Sequence, residues 1–510
     1  MFKFPSLLRL LQRGRQQPDQ PHKALPASGV EQSSNELHEQ PEDGSTSLQN
    51  ILSQFEDCSD LSHVSLHGDG LHLVYFSHLI QKEVWDRQVL TTLRETPPEQ
   101  LAALMSQAPF TSADGSKDIV LAILDGGTAI FYQDRVHLAF VTGGETRAVN
   151  QSETESVITG PHDAFVETAE TNLSLIRRRV KSSHLKVVKL TVGEVSKNTV
   201  YILYIKDIAN MHFVHTMIER IQSIEVDAVY DGNMLTQYFD DQPNSVFPQF
   251  LTTERTDSAA SKLIGGRVLC LVDGSPTIIS APAAFLEFFS SPDDYYQRWM
   301  LGTATRLLRL VAFLITIIFT AFYVSVTTYH YEMIPETLII TLTESRSRVP
   351  FPPLYEALLM EITIELLREA GARLPTKIGQ TIGIVGGIVI GQAAVQAGLT
   401  SNILIIAVAS SAIASFVVPS YVMSASIRLV RFGLIVLAGI WGNFGLILGV
   451  TALTIHISGI TSLGSSYLIP IAPMKWNDWR DVLIRAPLWM IKDRPSQPQS
   501  PNQVKNKMRK

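Results

Sequence analysis

One uncharged stretch, residues 378–397, constrains this chain more than any other feature. Its length matches the roughly 20 residues that a helix needs to cross the hydrocarbon core of a bilayer. The glycines in it recur every four residues and would form one stripe on a helix; they are Gly379, Gly383, Gly387 and Gly391. Because glycine costs about 1 kcal/mol in a helix interior, the stripe indicates that another backbone packs closely against it.

The opposite face of this predicted helix carries two glutamines, which are poorly suited to face lipid. The residues of that face are Thr381, Val385, Ile388, Gln392 and Gln396. Two interpretations stay open. The segment is either an ordinary packed membrane helix whose glutamines bond to neighbouring helices, or a helix that lines a polar path.

Composition separates the chain into two halves. Of its 510 residues 45% are hydrophobic, the mean hydropathy is +0.14, and the long apolar runs follow residue 300. The net charge of −6, without a large basic field, argues against a nucleic-acid partner. The distant Cys58 and Cys270 form neither a disulfide framework nor a metal motif. We therefore predict an α+β soluble N-terminal domain of two subdomains, followed by an α-helical multi-span membrane domain.

Composition shifts and turn signals predict five parts. They are a basic start and disordered tether (1–49), soluble subdomain 1 (50–160), soluble subdomain 2 (161–295), the helical membrane domain (296–472) and an amphipathic basic cytoplasmic tail (473–510). The two subdomains are suggested by two similar Asp-Gly segments, 119–132 and 267–280, each of which predicts a β-hairpin. The tryptophans and arginines after residue 475 predict an interfacial helix.

Four spans are predicted in the membrane domain, at about 310–329, 378–397, 403–422 and 432–457. The segment 354–370 is too charged for a simple span, so an interfacial or re-entrant helix is predicted there. Basic residues before the first span and after the last one predict that both ends are cytoplasmic. Arg428 and Arg431 then fall outside, which conflicts with this topology.

The helix 354–370 carries an acidic stripe at four-residue spacing, made of Glu361, Glu365 and Glu369. Repeated around an oligomer, these carboxylates would attract cations. The alternative is that they pair with Arg368 and Arg373 along the same helix.

The sequence contains no pattern that predicts an enzyme. It lacks a phosphate-binding P-loop, a GxSxG elbow, an HExxH zinc motif and a GxGxxG fingerprint. The four histidines between residues 63 and 78 have no familiar ligand spacing. Asp125, Asp231 and Asp273 each precede a glycine and are explained as turn residues. We therefore predict no catalytic residue, no metal site and no cofactor.

Several motifs together resemble the A-subunit family of bacterial spore germinant receptors, the GerA family. The resemblance covers about residues 50–495. Its motifs are the runs GPHDAFVETAETNLSLIRRRVKSSHLKV, FPQFLTTERTD, LVDGSPTIISAPAAFLEFFSSPDDYYQRW, SRSRVPFPPLYEALLMEITIELLREAGARLP, TIGIVGGIVIGQAAVQAG and SFVVPSY.

The resemblance implies a subunit of a nutrient receptor in the inner membrane of bacterial spores. Its partners would be a transporter-like B subunit and a lipoprotein C subunit, and copies of it would form a homo-oligomeric channel for monovalent cations that opens to start germination. The glutamine face would then line the channel, with Val385 and Ile388 as an apolar gate. Two alternatives are a nutrient transporter-like subunit and a scaffold or anchor subunit that conducts nothing.

Overall fold

The computed structural model describes residues 46–506 apart from 69, 114, 134, 142–151, 153–154, 156–158, 375–386 and 388. All of these residues belong to one compact unit, Asp43–Lys510. The predicted tether lies almost entirely outside the described residues.

A first antiparallel sheet, with strand order β1-β2-β4-β5-β3, follows the N-terminal helix. Its strands are β1 (Leu61–Leu66), β2 (Leu71–Phe76), β3 (Phe110–Ala113), β4 (Gly127–Tyr132) and β5 (Arg135–Phe140). Its helices are α1 (Leu48–Gln54), α2 (Lys82–Trp85), α3 (Thr91–Glu95), α4 (Pro98–Met105) and α5 (Ser116–Leu124), with a π-helical turn at Asp86–Leu90. Side chains alternate between the two faces of a strand, so Leu73 packs against α3 and α4 while Val74 packs against α1 and α5.

A second antiparallel sheet, with strand order β6-β7-β9-β10-β8, is covered by helices in the same way. Its strands are β6 (Leu185–Val192), β7 (Asn198–Ile205), β8 (Leu251–Thr253), β9 (Val268–Val272) and β10 (Ile278–Ala281). Its helices are α6 (Ala169–Arg179), α7 (Met211–Gln222), α8 (Gly232–Phe239) and α9 (Thr256–Ile264). A 3-10 turn (Phe285–Phe289) and the short α10 (Asp293–Tyr296) then lead into the helical part.

One of the two predicted hairpins is confirmed and the other is wrong. β9 and β10 pair antiparallel around Asp273 and Gly274, whose φ of 86° suits glycine. In the first segment, Ser116–Leu124 is instead the buried helix α5, and only Gly127–Tyr132 is a strand. A short apolar run is compatible with either structure, because its periodicity does not distinguish a buried strand from a buried helix.

The helical part contains six α-helices after α10. They are α11 (Trp299–Tyr329), α12 (Glu336–Arg346), α13 (Pro353–Arg373), α14 (helical residues 387 and 389–396), α15 (Asn402–Phe416) and α16 (Tyr421–Gly459). Among the described helices, α11 and α16 are long and apolar enough to cross a membrane. We call α11, α15 and α16 the helical frame; their buried apolar residues form one cluster, to which Ala357 and Met360 of α13 also belong.

Helix α16 is a hairpin that reverses at Gly442, the residue with non-helical φ and ψ angles of 60° and −142°. In a straight helix Ser426 and His456 would lie about 45 Å apart at 1.5 Å per residue. Here Ser426 Oγ donates to the Val246 carbonyl, and His456 Nε2 lies 3.0 Å from Oγ of the adjacent Ser245. The prediction of one span at 432–457 is therefore wrong, since the chain turns back inside it.

The far end of the frame is the end at the Gly442 turn, and the near end is the end at the sheets. α11 runs from near to far, because Arg306 contacts Asp294 while the Tyr329 hydroxyl donates to the carbonyl of Ile440 at 2.9 Å. Each arm of the α16 hairpin covers the same span, so the chain returns to the sheets at Gly459.

A further span prediction is corrected. The predicted span 403–422 ends early, because α15 stops at Phe416 and the Ser420 hydroxyl caps a new helix. Helix α13 packs lengthwise on the frame, and its location as an interfacial or re-entrant helix stays a prediction. The charged residues of α13 argued against a simple span. Two of its glutamates, however, pair with Arg428 and Arg431, which lie in the first arm of α16. These two arginines are thus not in an external loop.

The C-terminal segment folds back onto the second sheet instead of forming an interfacial helix. Among its described residues, which end at 506, only α17 (Trp479–Val482) and a 3-10 turn (Leu488–Met490) are helical. Gln497 is buried beside Arg267, and the Ser500 hydroxyl donates to the Ile208 carbonyl. Tryptophan and arginine composition predicted an amphipathic helix, but Pro487 and Pro495 interrupt a helical pattern there.

Candidate functional site

Helix α13 turns both apolar and charged residues toward the frame and leaves a second apolar face exposed. Leu359, Ile362 and Leu366 are 41%, 51% and 65% exposed, whereas Glu361 is fully buried. A helix of a soluble protein normally exposes its charged residues and buries its apolar ones. The contact between α13 and the frame therefore combines apolar packing of Ala357 and Met360 with the polar pairs that are described next.

The centre of this contact is a fully buried ion pair between α13 and α16. Glu361 Oε2 lies 2.5 Å from Arg431 Nη2, and neither side chain is exposed. Thr320 of α11 donates its hydroxyl to Glu361 Oε1 at 3.0 Å, and Arg431 Nη1 donates to Ser411 Oγ of α15 at 3.0 Å. All three frame helices thus contribute to one charged layer. Removing either member of such a pair is expected to cost about 3–5 kcal/mol.

A second pair lies toward the near end. Arg428 Nε donates to Glu365 Oε1 at 3.0 Å, and Arg428 Nη1 donates to Ser424 Oγ at 2.9 Å. Arg368 donates to Ser415 Oγ at 2.9 Å and stacks on the Phe416 ring, with 4.3 Å from its guanidinium carbon to the ring centroid. We call Glu361–Arg431 and Glu365–Arg428 the register pairs.

The two ends of α13 hold further carboxylates. Glu356 accepts a hydrogen bond from Arg346 and another from the Ser401 backbone N–H, both at 3.2 Å. Glu369 accepts from Arg373 on the same helix, and this pair is largely exposed. All three members of the predicted acidic stripe therefore have an arginine partner, but the predicted pairing along the same helix is close only for Glu369 with Arg373. Their role in attracting cations stays a prediction.

In the described part of the glycine helix, residues of both predicted faces are exposed or have open space beside them in this single chain. Gln392 and Gln396 are exposed. A methyl group added at Gly387 or Gly391 would meet no atom within 4 Å. The other predicted lining and packing residues, Gly379, Thr381, Gly383, Val385 and Ile388, lie outside the described residues, so their assignment stays a prediction.

A second charged cluster joins the sheets to α11. The Asp294 carboxylate accepts from Arg306 at 3.0 Å and from Arg309 at 2.7 Å, and its side chain is 2% exposed. Burial acts to raise the pKa of Asp294, but the hydrogen bonds and charges of Arg309 and Arg306 outweigh it and hold that pKa below its usual value. The Tyr295 hydroxyl donates to Asp481 at 2.7 Å, which adds the C-terminal segment to the same joint.

Sequence reasoning identified the acidic stripe but missed its main partners. Arg428 and Arg431 are more than sixty residues away along the chain, and only their conflict with the predicted topology pointed to them. Asp294 was also missed, because the Asp-Asp-Tyr-Tyr segment around it resembles a polar loop. An arginine pair at the start of an apolar helix is the signal that could have indicated a buried acidic partner.

The comparisons with known proteins agree with the motifs. The family model described as Bacillus/Clostridium GerA spore germination protein matches residues 49–497. "Spore germination protein GerQA" of Bacillus cereus is 42% identical over 89% of this chain and 93% of its own length. "Spore germination protein A1" of Bacillus subtilis is 36% identical over 89% of this chain and 95% of its own length.

A solved structure is also similar over the N-terminal part, although weakly. The N-terminal domain of the A subunit of the Bacillus megaterium spore germinant receptor GerK3 shares 23% identity at a TM-score of 0.34. It covers 47% of this chain and 94% of that domain. The family model and the full-length relatives, which span most of both chains, decide the classification. This chain belongs to the Bacillus/Clostridium GerA family of spore germination proteins.

Proposed function

We propose that this chain is the A subunit of a nutrient germinant receptor in the inner membrane of bacterial spores. It would act with a transporter-like B subunit and a lipoprotein C subunit. Copies of it would surround a path for monovalent cations, which opens when nutrient is sensed. Its family membership supports the role in germination, and the helical part supports the finer statement as follows.

The antiparallel run of helices supports a multi-pass protein with both ends on the sheet side. α11 leads away from the sheets, the two arms of α16 leave and return, and α13 and α15 lie alongside them. Each arm of α16 has about the length of a bilayer crossing. The C-terminal segment contacts the second sheet, which is consistent with cytoplasmic N- and C-terminal parts.

The observation that carries the channel proposal is the exposure of Gln392 and Gln396 on a helix of the membrane part. An amide facing hydrocarbon would leave its N–H and C=O groups without hydrogen bonds. A path filled with water, surrounded by copies of this helix, would satisfy them. The open space beside Gly387 and Gly391 would accept the backbone of a neighbouring copy.

The test is cation release from dormant spores that carry Val385→Ala or Ile388→Ala. A smaller side chain should weaken an apolar gate, so cations should leak without nutrient while the amount of subunit in the membrane stays normal. Ile390→Ala is the matched control, because it removes the same volume as Ile388→Ala from the opposite side of the helix. Normal dormancy and a normal nutrient response in both gate variants would contradict the proposed lining.

A further inference from the structure

Helix α13 carries a four-residue repeat on the face that it turns toward the frame. Its carboxylates Glu361, Glu365 and Glu369 are each one helical turn apart. The facing arm of α16 carries Arg428 and Arg431, which are also about one turn apart. Three carboxylates in a row thus face two arginines, so in any register at least one carboxylate has no arginine of α16 as its partner.

We propose that α13 has two registers against α16, which differ by one helical turn. The observed register pairs Glu361 with Arg431 and Glu365 with Arg428. In the second register Glu365 pairs with Arg431, and Glu369 pairs with Arg428. α13 moves about 6 Å toward the far end to reach it, which is four residues at 1.5 Å each. One-turn shifts of packed helices are a known form of two-state switch.

Only a shift in this direction keeps both arginines paired. The opposite shift would bring Ala357 to the buried Arg431 and leave that charge without a carboxylate, which is strongly unfavourable. The carboxylate recruited by the proposed shift is available, because the side chain of Glu369 is 59% exposed and its pair with Arg373 is at the surface. Exposed pairs within a helix contribute little.

The apolar contacts repeat with the same spacing. Leu354 fills a notch at Gly439, where an added Cβ would lie 2.7 Å from a Leu354 methyl carbon. After the shift Leu358 would occupy this notch, and Ile364 would replace the buried Met360. These two exchanges conserve volume and cost little in a packed interface. Glu361, however, would move to the buried place of Ala357 without an arginine partner, and this cost adds to the preference for the observed register.

Glu356 breaks the repeat and sets the resting state. Its hydrogen bonds from Arg346 and from the Ser401 N–H exist in the observed register. After the shift an apolar residue, Met360, would take its place. The observed register is therefore the more stable one in this chain.

The role of the shift rests on the proposed function. Arg373 ends α13, and the predicted lining segment 378–397 follows five residues later in the sequence, so a translation of α13 would pull on the segment that is proposed to line the path. The frame stays in place, because α11 is anchored to the sheet part through Asp294 and α16 through the Val246 carbonyl. We infer that nutrient sensing moves α13 from the observed register to the second one.

Cysteine pairs distinguish the two registers in the full receptor in spores. Leu354→Cys with Gly439→Cys should crosslink in dormant spores and block the nutrient response until a reductant is added. Leu358→Cys with Gly439→Cys should crosslink after nutrient addition and not before it. Leu354→Ala is added to this second pair, because the cysteine at position 439 would otherwise collide with Leu354 in the observed register. The natural Cys58 and Cys270 are buried in the soluble part and stay in both variants. A 354/439 variant that is fully crosslinked and still responds normally would overturn the two registers.

A deletion strain separates this result from the proposed function. If spores without this subunit respond normally to every nutrient, the proposed function fails. If they do not respond while crosslinked 354/439 spores do, only the register proposal fails.

Two conservative variants that leave the fold intact give a second test. Glu369→Gln removes the carboxylate that pairs with Arg428 only in the second register, so nutrient-triggered cation release should slow at least about tenfold. Glu356→Gln removes a contact of the observed register, so release without nutrient should rise by a similar factor. Arg373→Gln, which also breaks the surface pair of Glu369, is the control and should respond normally. Glu369→Gln spores that match Arg373→Gln spores would overturn the proposal.

Discussion

Two buried arginine–carboxylate pairs in this molecule have the same chemistry and different surroundings. In the sheet part, Arg177 of α6 donates to both oxygens of Asp60, at 2.5 and 2.8 Å, and stacks on the Phe76 ring. We call this pair the sheet clamp, because it joins the second sheet to the first. In the helical part, Arg431 binds Glu361 with equal burial.

The two pairs differ in whether a second carboxylate lies one helical turn away from the first. Asp60 lies in a turn before β1 and outside any helix, so no carboxylate occupies an equivalent position. Glu361 lies on a regular helix whose next turn offers Glu365. A buried ion pair adds little net stability compared with apolar residues of similar size. The comparison therefore indicates a fixed joint in one case and an exchangeable joint in the other.

The largest difference is expected between two double variants, each of which makes one of the joints apolar. Glu361→Leu with Arg431→Met should leave the observed register stable, because no charge is left unpaired in it. It should abolish nutrient-triggered cation release, because Glu365 would face Met at position 431 after the shift. Asp60→Leu with Arg177→Met is the matched control and should respond normally. Equal responses of the two double variants would remove the distinction between the joints.

The next effect concerns the stability of the sheet clamp alone. Arg177→Met leaves Asp60 buried without its arginine, with only His78 Nε2 3.7 Å away, which should cost about 3–5 kcal/mol of unfolding free energy in this region. Hydrogen exchange of the β2 and β6 amides in the full chain would measure the loss. Arg178→Met, on the exposed side of the same helix, should change these rates little. Unchanged protection in the Arg177 variant would mean that the clamp does not hold the sheets together.

Acid tests the clamp without changing the clamp residues. Burial, aided by the charge of Arg177 and opposed by Asp60, lowers the pKa of His78 from 6.5 to about 4. Between these values the unfolded chain binds a proton that the folded chain does not, so stability should fall as the pH decreases from 6.5 toward 4. The loss reaches about 3 kcal/mol at most. Hydrogen exchange of the β2 amides at pH 7 and pH 5 would show it.

The matched variant for the acid test is His78→Gln, which cannot take up the proton. Its amides should lose less protection between pH 7 and pH 5 than those of the unchanged chain. An equal loss in both proteins would assign the acid sensitivity to other groups.

The sequence was informative where the relevant contacts are local. Alternating residues around Asp273 and Gly274 predicted the β9–β10 hairpin, because a hairpin is specified by its own turn and strands. The spacing of the acidic stripe also showed which face of α13 is charged. Pairing of Glu369 with Arg373 was one of the predicted alternatives, and it is observed.

The sequence was uninformative where a contact depends on a distant segment of the chain. Arg428 and Arg431 meet α13 only after the chain has turned twice, so local spacing could not predict the register pairs. The reversal at Gly442 was missed because both arms are apolar and one glycine interrupts them, which leaves the hydropathy pattern continuous. The resemblance of motifs identified the family without revealing either feature.

The smallest expected effect tests whether burial, rather than pairing alone, makes an ion pair important for stability. Arg373 and Glu369 are 79% and 59% exposed, so Arg373→Gln should change the unfolding free energy by less than about 0.5 kcal/mol. Thermal unfolding of the detergent-solubilised protein at two salt concentrations would measure this change, since added salt should remove what remains of it. Arg431→Gln in the same assay should destabilise the protein strongly and with little dependence on salt. If both arginine variants proved equally mild, burial would not be what makes the register pairs matter.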